Sequence, residues 1–232
     1  ISNFTDVDAL SIEPGIVLRY VTAPDQLADA DLVILPGTRA TVADLAWLRA
    51  TGLAAAVQRA AAAGTPVLGI CGGYQMLARR IHDEVESGAG SVEGLGLLPA
   101  TVTFARDKTL GRPVGTAYGA RVEGYEIHHG QAHVEGGEPF LDGCRVGSVW
   151  GTTWHGVLEN DAFRRAFLAE VAALTGRRFI GATDVSFAAG RERQLDILGD
   201  LVAEHLDTAA LHRLIEHGPP AGLPTIAPGV PS

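Results

Sequence analysis

Residues 66–77 read Pro66-Val67-Leu68-Gly69-Ile70-Cys71-Gly72-Gly73-Tyr74-Gln75-Met76-Leu77. The first five are a brief apolar run bounded by Pro and Gly, the pattern of a strand buried in the centre of a parallel sheet. A helical pattern resumes at about Tyr74. A strand that turns into a helix through a Gly-Gly step, with no room for a long loop, is the basic step of an open α/β sheet.

The rhythm repeats on the N-terminal side. Residues 16–21 (IVLRYV) predict a short buried strand, and residues 31–35 (DLVIL) predict a second that ends in the turn Pro36-Gly37-Thr38. An Ala-rich amphipathic stretch over 52–63 predicts a helix, and Gly64 is a favourable stop for it. Alternating strands and helices of these lengths predict α/β architecture: three layers, an open, mostly parallel sheet with helices on both faces. Ligand sites in such sheets lie at the carboxyl ends of the strands, where both Pro36-Gly37 and Cys71 fall.

Residues 88–150 are Gly-rich and read as short strands, at 101–104, 121–126 and 144–147. Helices are expected near 161–175 and 194–217. One domain over 1–217 is therefore expected, followed by a Pro-rich, disordered tail at 218–232.

Composition narrows the function. The 232 residues are 47% apolar and 19% charged, which is globular composition. The net charge of −9 argues against nucleic acid or anionic lipid as the main partner. No apolar run approaches the ~20 residues of a membrane helix. The start, Ile1-Ser2-Asn3-Phe4-Thr5-Asp6, has neither the basic nor the apolar region of a secretory leader. Two cysteines, Cys71 and Cys144, are too few for a disulfide framework, so a reducing cytoplasm is expected. The chain begins without Met, as a piece of a longer protein would.

Cys71 carries the sharpest chemical signal. A strand that runs into a nucleophile, flanked by glycines and followed at once by a helix, is the nucleophile-elbow arrangement with Cys in place of Ser. The helix N-terminus favours a thiolate. The Gly72 N–H would point at an oxyanion, and a second donor would come from the turn at Gly37. The competing reading is a small buried Cys in an ordinary strand-to-helix turn. A thiolate that attacks an amide needs a proton shuttle. His155, in Gly151-Thr152-Thr153-Trp154-His155-Gly156, stands at a strand end before a Gly, although a satisfied structural histidine would look the same. His128, His129 and His133 suggest a metal only weakly, because no Cys, Asp or Glu completes a known ligand spacing; no metal site is expected. The sequence has neither a phosphate-binding G-x-x-x-x-G-K-[ST] nor a G-x-G-x-x-G.

The string GICGGYQML over 69–77 resembles the nucleophile motif of the triad-type, class I glutamine amidotransferases. Within that superfamily ISNFTD at 1–6, DLVILPGT at 31–38, GYEIHHG at 124–130 and GTTWHG at 151–156 resemble the C-terminal half of the cobyric acid synthase family. The five blocks stand in one order, and the combination is specific where any single block is not. The resemblance implies that Cys71 forms a γ-glutamyl thioester and that His155 acts as base and then acid. It implies that Gly37 and Gly72 supply oxyanion N–H groups and that Gln75 helps hold glutamine. Glu126 and His128 lie in a motif typical of the family, without an evident role. The implied reaction uses glutamine and ATP to amidate peripheral carboxylates of adenosylcobyrinic acid a,c-diamide on the way to cobalamin.

Two departures qualify this. Most triad amidotransferases carry Glu two residues after the His; here that position is Val157, so Glu159, Glu126 or a backbone carbonyl must orient His155. The family's other half, with its ATP, Mg and corrinoid sites, has no counterpart in this sequence. The expected partners are glutamine and an ATP-binding synthetase domain, in cis or in trans, with the corrinoid held there. Other readings are a glutaminase subunit serving another ligase, such as a cell-wall precursor amidase, a catalytically silent interaction module, and a Cys hydrolase or chaperone-like member of the same broad fold.

Overall fold

The computed structural model describes residues 2–224. Contacts divide the chain after Phe187. The first unit holds eleven strands and four α-helices: β1 (Val33–Leu35), α1 (Thr41–Ala50), α2 (Leu53–Ala62), β2 (Val67–Ile70), α3 (Gly72–Leu77), β3 (Arg80–Asp83), β4 (Gly90–Glu93), β5 (Ala100–Gly111), β6 (Val114–Ala117), β7 (Ala120–Glu123), β8 (Glu126–Val134), β9 (Glu138–Phe140), β10 (Gly143–Val146), β11 (Val149–Thr152) and α4 (Asp161–Thr175). The central sheet has the order β1-β2-β11-β10-β9. β2 lies parallel to both β1 and β11, and the antiparallel strands β10 and β9 extend the sheet beyond β11.

β2 is buried along its whole length, as its unbroken apolar run requires. Its side chains alternate between two cores. Val67 joins Leu45 and Leu48 of α1 and Leu53 and Val57 of α2. Leu68 and Ile70 join Phe163, Phe167 and Val171 of α4 on the opposite side. Helices therefore cover both faces, as expected of the three-layer α/β class. A second sheet, β4-β3-β5-β8, and the hairpin β6-β7 account for the Gly-rich middle.

Some expectations needed revision. The segment 16–21 alternates inward (Ile16, Leu18) and outward (Val17) like a strand, but it joins no ladder. Period-two alternation reports which side chains meet the core and not whether the backbone pairs. Helix α1 carries few strong apolar repeats and escaped the sequence reading. The helix expected over 194–217 is two helices, α5 (Phe187–His205) and α6 (Thr208–His217), because the Asp207 carboxylate accepts the N–H of Ala210 and starts a new helix. Neither α5 nor α6 has a buried residue. Residues 218–224 are exposed; the rest of the expected tail, 225–232, lies outside the described residues, as does Ile1.

The N-terminal segment is fixed at two places. The 3-10 helix Phe4–Leu10 buries Asp6, Val7, Ala9 and Leu10. Just beyond it, Glu13 accepts a hydrogen bond of 2.9 Å from Arg164 Nε of α4, and both side chains are fully shielded. A buried ion pair of this kind adds little net stability, but breaking it leaves a charge unpaired, which fixes the register of the segment against α4.

Candidate active site

β2 ends at the centre of the sheet, and Cys71 follows it with φ 48° and ψ −110°. That is a strained backbone for a residue with a Cβ, and such outliers persist where the surroundings over-determine them. Here the constraint is close approach. A Cβ on Gly73 would stand 1.8 Å from the Leu35 carbonyl oxygen, and one on Gly69 2.7 Å from Tyr74 N. The Cys71 N–H donates to the Thr152 carbonyl at 2.8 Å, tying the elbow to β11. Cys71 is 5% exposed.

β11 delivers the histidine. Its end is clamped by Asp142, which accepts from Thr152 Oγ1 at 2.5 Å, from the Thr153 N–H at 3.0 Å, and from the Thr153 hydroxyl. Two residues on, His155 forms an isolated antiparallel bridge with Tyr125. The Tyr125 ring stacks on the imidazole at 4.9 Å with planes 19° apart and screens it from solvent.

The orienting carboxylate is Asp6. Its Oδ2 lies 2.7 Å from His155 Nδ1, and its Oδ1 accepts the Gly156 N–H at 2.9 Å. Asp6 and His155 are each 3% exposed. Asn3 Nδ2 also lies 2.8 Å from Nδ1 and 3.2 Å from Asp6 Oδ2. Only one partner can take the Nδ1 proton. A carboxylate is the stronger acceptor, so Nδ1–H donates to Asp6 and the Asn3 amide donates to Asp6. Burial disfavours the imidazolium, but the hydrogen bonds it donates to Asp6 and to the Cys71 sulfur, and the negative charge of both, outweigh it, and the His155 pKa is pushed up to about 10. The thiol and the imidazole therefore share one electrostatic site.

The sequence reading sought this partner in Glu159, Glu126 or a carbonyl, and missed Asp6. No spacing rule links the two, since 149 positions separate them. The signal in the sequence is the block that contains Asp6, ISNFTD, which carries a family resemblance but no local chemical pattern. Asn3, Tyr125 and Thr41 were missed for the same reason.

Both glycines expected near the oxyanion lie in the same crevice. A Cβ on Gly37 would stand 2.6 Å from His155 Cε1, and one on Gly72 3.0 Å from Thr38 N. The turn after β1 is thus packed between the histidine and the elbow, and the Asn3 N–H holds it from the other side by donating to the Gly37 carbonyl at 2.9 Å. Gln75 lies one turn into α3, 2% exposed, and its Oε1 accepts from Thr41 Oγ1 at 2.9 Å. Its Nε2 faces Gly130 so closely that a Cβ there would stand 2.6 Å away. Glu126 and His128 pair on β8, with Oε2 and Nε2 3.6 Å apart. His129 and His133 project from the other side of β8, and among the described residues no group of three or more His, Cys, Asp or Glu is placed to hold a metal ion.

A strained Cys at a strand end, facing a buried His–Asp pair beside a glycine turn, fits thiol chemistry on an amide. A family model agrees: the CobB/CobQ-like glutamine amidotransferase domain matches residues 1–163. The chain belongs to that family. Among similar proteins is the cobyric acid synthase of Streptomyces avermitilis, 68% identical over 231 residues, which covers 100% of this chain and 46% of that one. The cobyric acid synthase of Streptomyces coelicolor is likewise 68% identical, with the same coverage. That of Frankia casuarinae is 62% identical over 99% of this chain and 45% of its own length. The glutamine amidotransferase domain described here thus spans less than half the length of these relatives. A solved structure titled a glutamine amidotransferase superposes with a TM-score of 0.56 at 20% identity, covering 75% of this chain and 94% of the other, which shows a shared fold. No helix among the described residues is long and apolar enough to cross a membrane.

Proposed function

We propose that this glutamine amidotransferase domain hydrolyses glutamine through a Cys71–His155–Asp6 triad and that the ammonia serves an ATP-dependent amidation of corrinoid carboxylates, as in cobyric acid synthase. The observation that carries the chemistry is the buried 2.7 Å Asp6–His155 contact beside the strained Cys71. Asp6 holds the imidazole with Nε2 free for the nucleophile, as the carboxylate does in a Ser-His-Asp triad.

The sulfur attacks the amide carbon of glutamine, and the carbonyl π electrons move to oxygen. N–H groups from Gly37 and Gly72 stabilise that oxyanion. The intermediate collapses, the C–N bond breaks, and His155 gives its proton to the departing nitrogen, releasing ammonia and leaving a γ-glutamyl thioester. Water then attacks the thioester carbon while His155 takes its proton. The C–S bond breaks, glutamate leaves, and the thiolate–imidazolium pair is restored. Gln75, fixed by Thr41, sets the wall of the glutamine pocket.

The corrinoid acceptor is supported by the names of the relatives and by the order of the five sequence blocks. We assign ATP and Mg to a partner domain, in cis or in trans, because the relatives named cobyric acid synthase extend well beyond the part this chain matches. The sequence has no phosphate-binding glycine loop followed by Lys, and the described residues provide no ligand cluster. The reaction is placed in the cytoplasm, where glutamine and ATP are available.

The test is labelling with diazo-oxo-norleucine, a glutamine-mimicking electrophile. It should modify Cys71, and Cys71→Ala should lose both the label and measurable ammonia release. Label on Cys144, or release that persists in Cys71→Ala, would overturn the assignment.

A further inference from the structure

Strand β8 runs along the site from one marked point to another. Just before it, Tyr125 is bridged to His155; four residues into it, Gly130 abuts Gln75. Side chains alternate along a strand, so Glu126, His128 and Gly130 share a face. Ala132 and Val134 continue that face into the core under α3, whereas Ile127 on the other face is exposed. Along β8, Glu126 and His128 are therefore the side chains that face inward between the bridge to His155 and Gly130 at Gln75.

Their chemistry is unbalanced. His128 Nδ1 lies 2.8 Å from the Gly130 carbonyl, an acceptor, so Nδ1 carries the proton. In the neutral ring Nε2 is then a lone pair. Its side chain is 8% exposed, the atom has no hydrogen-bond partner, and it faces Glu126 Oε2 at 3.6 Å. Among the described residues Glu126 has no other ion-pair partner, and its side chain remains 22% exposed. In the neutral ring the shielded His128 Nε2 thus faces a second acceptor, and among the described residues it has no donor. Buried polar groups are rarely left so without a reason.

We propose that Glu126, backed by His128, is the subsite for the α-ammonium of glutamine. A primary ammonium brings three donors and a positive charge to a place that has only acceptors and negative charge. This rests on the glutaminase reading and adds to it the feature that would separate glutamine from simple amides. Glu126 would touch the substrate; His128, with its Nε2 shielded, would act by holding the carboxylate in place.

The experiment compares wild type and Glu126→Gln with two Cys-directed reagents. Diazo-oxo-norleucine carries the α-ammonium, and iodoacetamide does not. A charge-assisted hydrogen bond is equivalent to about a 10- to 100-fold change. The variant should lose that factor in the rate of labelling by diazo-oxo-norleucine and react with iodoacetamide within about two-fold of wild type. Glutamine should protect wild type from iodoacetamide far better than it protects the variant, while glutaramate, which lacks the α-ammonium, should protect both equally weakly. His128→Asn should show a smaller loss of the same kind. Equal rates with diazo-oxo-norleucine, or an equal fall with both reagents, would overturn the subsite. A wild type in which neither reagent marks Cys71 would overturn the glutaminase reading, and the subsite with it.

Discussion

β2 and α3 deliver Cys71 within one run from Val67 to Leu77, whereas the carboxylate that orients its histidine arrives on a separate N-terminal segment, 149 positions from His155. The elbow is positioned by what its glycines lack: close contact between β1, β2 and α3 leaves no space for side chains. The N-terminal segment is positioned by polar groups: Asn3 on the Gly37 carbonyl, Asp6 on His155 and Gly156, and Glu13 on Arg164. One half of the site is thus fixed by sterics and the other by hydrogen bonds and charge. Substitutions in the two halves should fail in different ways.

The largest effect is expected at the elbow. Gly73→Ala would drive a methyl group into the Leu35 carbonyl, a backbone atom of β1 that cannot rotate away. Overpacking in a core typically costs about 1–3 kcal/mol, and a backbone collision at this distance should reach or exceed that range. Thermal unfolding should fall by several degrees, and ammonia release should be lost as Cys71 shifts. Gly199→Ala in α5, where nothing lies within 4 Å, should leave ammonia release unchanged and add about 0.5–1 kcal/mol of helix stability, so it serves as the control of opposite sign.

Asp6→Asn should fail differently. The side chain keeps its shape, so the fold should survive with a modest loss. Removing the orienting carboxylate costs about 10⁴ in a serine triad. A thiol is the better nucleophile without help, and about 10² is expected here in the rate of ammonia release. The pKa of His155 should fall from about 10 toward its ordinary value, because the Asp6 bond and charge help hold the proton. Imidazole NMR titration reads this directly. A rate loss with no change in the titration would show that Asp6 only supports the fold.

The same pair makes stability depend on pH. His155 holds its proton more tightly in the folded chain, where its pKa is about 10, than in the unfolded chain, at about 6.5. Its contribution is fully present below the unfolded value and is lost as pH rises through the folded one. Wild type should therefore lose melting temperature between about pH 6.5 and 10, and Asp6→Asn should show a flatter curve over that window. Parallel curves would mean that other groups set the slope.

The contrast also explains what could be read from the sequence. The elbow, β2 and α4 were legible because each is specified by neighbours: a glycine-bounded apolar run, or an amphipathic stretch from Asp161 to Thr175 ending at Gly176. Cys71 and the strand-end His155 are singled out by the sequence on the same local grounds. Asp6 is not, because an acidic residue in a short exposed-looking block carries no periodicity, and only the tertiary fold buries it. The empty ladder at 16–21 and the break at Asp207 were missed for a related reason: side-chain pattern reports burial, and pairing partners and caps depend on atoms it does not see. Glu126 and His128 stand out in the sequence without an evident role, and only the alternation of β8 sets them between the His155 bridge and Gln75.

The smallest effect should come from Asn3, and it discriminates between two assignments. Asn3 places its side chain against Asp6, His155 Nδ1 and Tyr125, while its backbone N–H holds the Gly37 turn. Asn3→Ala keeps the backbone bond and removes only the amide. If Nδ1–H donates to Asp6, the amide merely steadies the carboxylate through one neutral donor. A bond of that kind is worth about 0.5–1.5 kcal/mol, so the rate of ammonia release should drop about 2- to 10-fold. If instead the Asn3 amide were flipped, with its oxygen taking the Nδ1 proton, Asn3→Ala would cost as much as Asp6→Asn and the two losses would not add in the double variant. A small loss from Asn3→Ala that adds independently to that of Asp6→Asn would be the weaker, screening role; a small loss that vanishes once Asp6 is already Asn would show that Asn3 acts through the carboxylate, as the 3.2 Å contact implies.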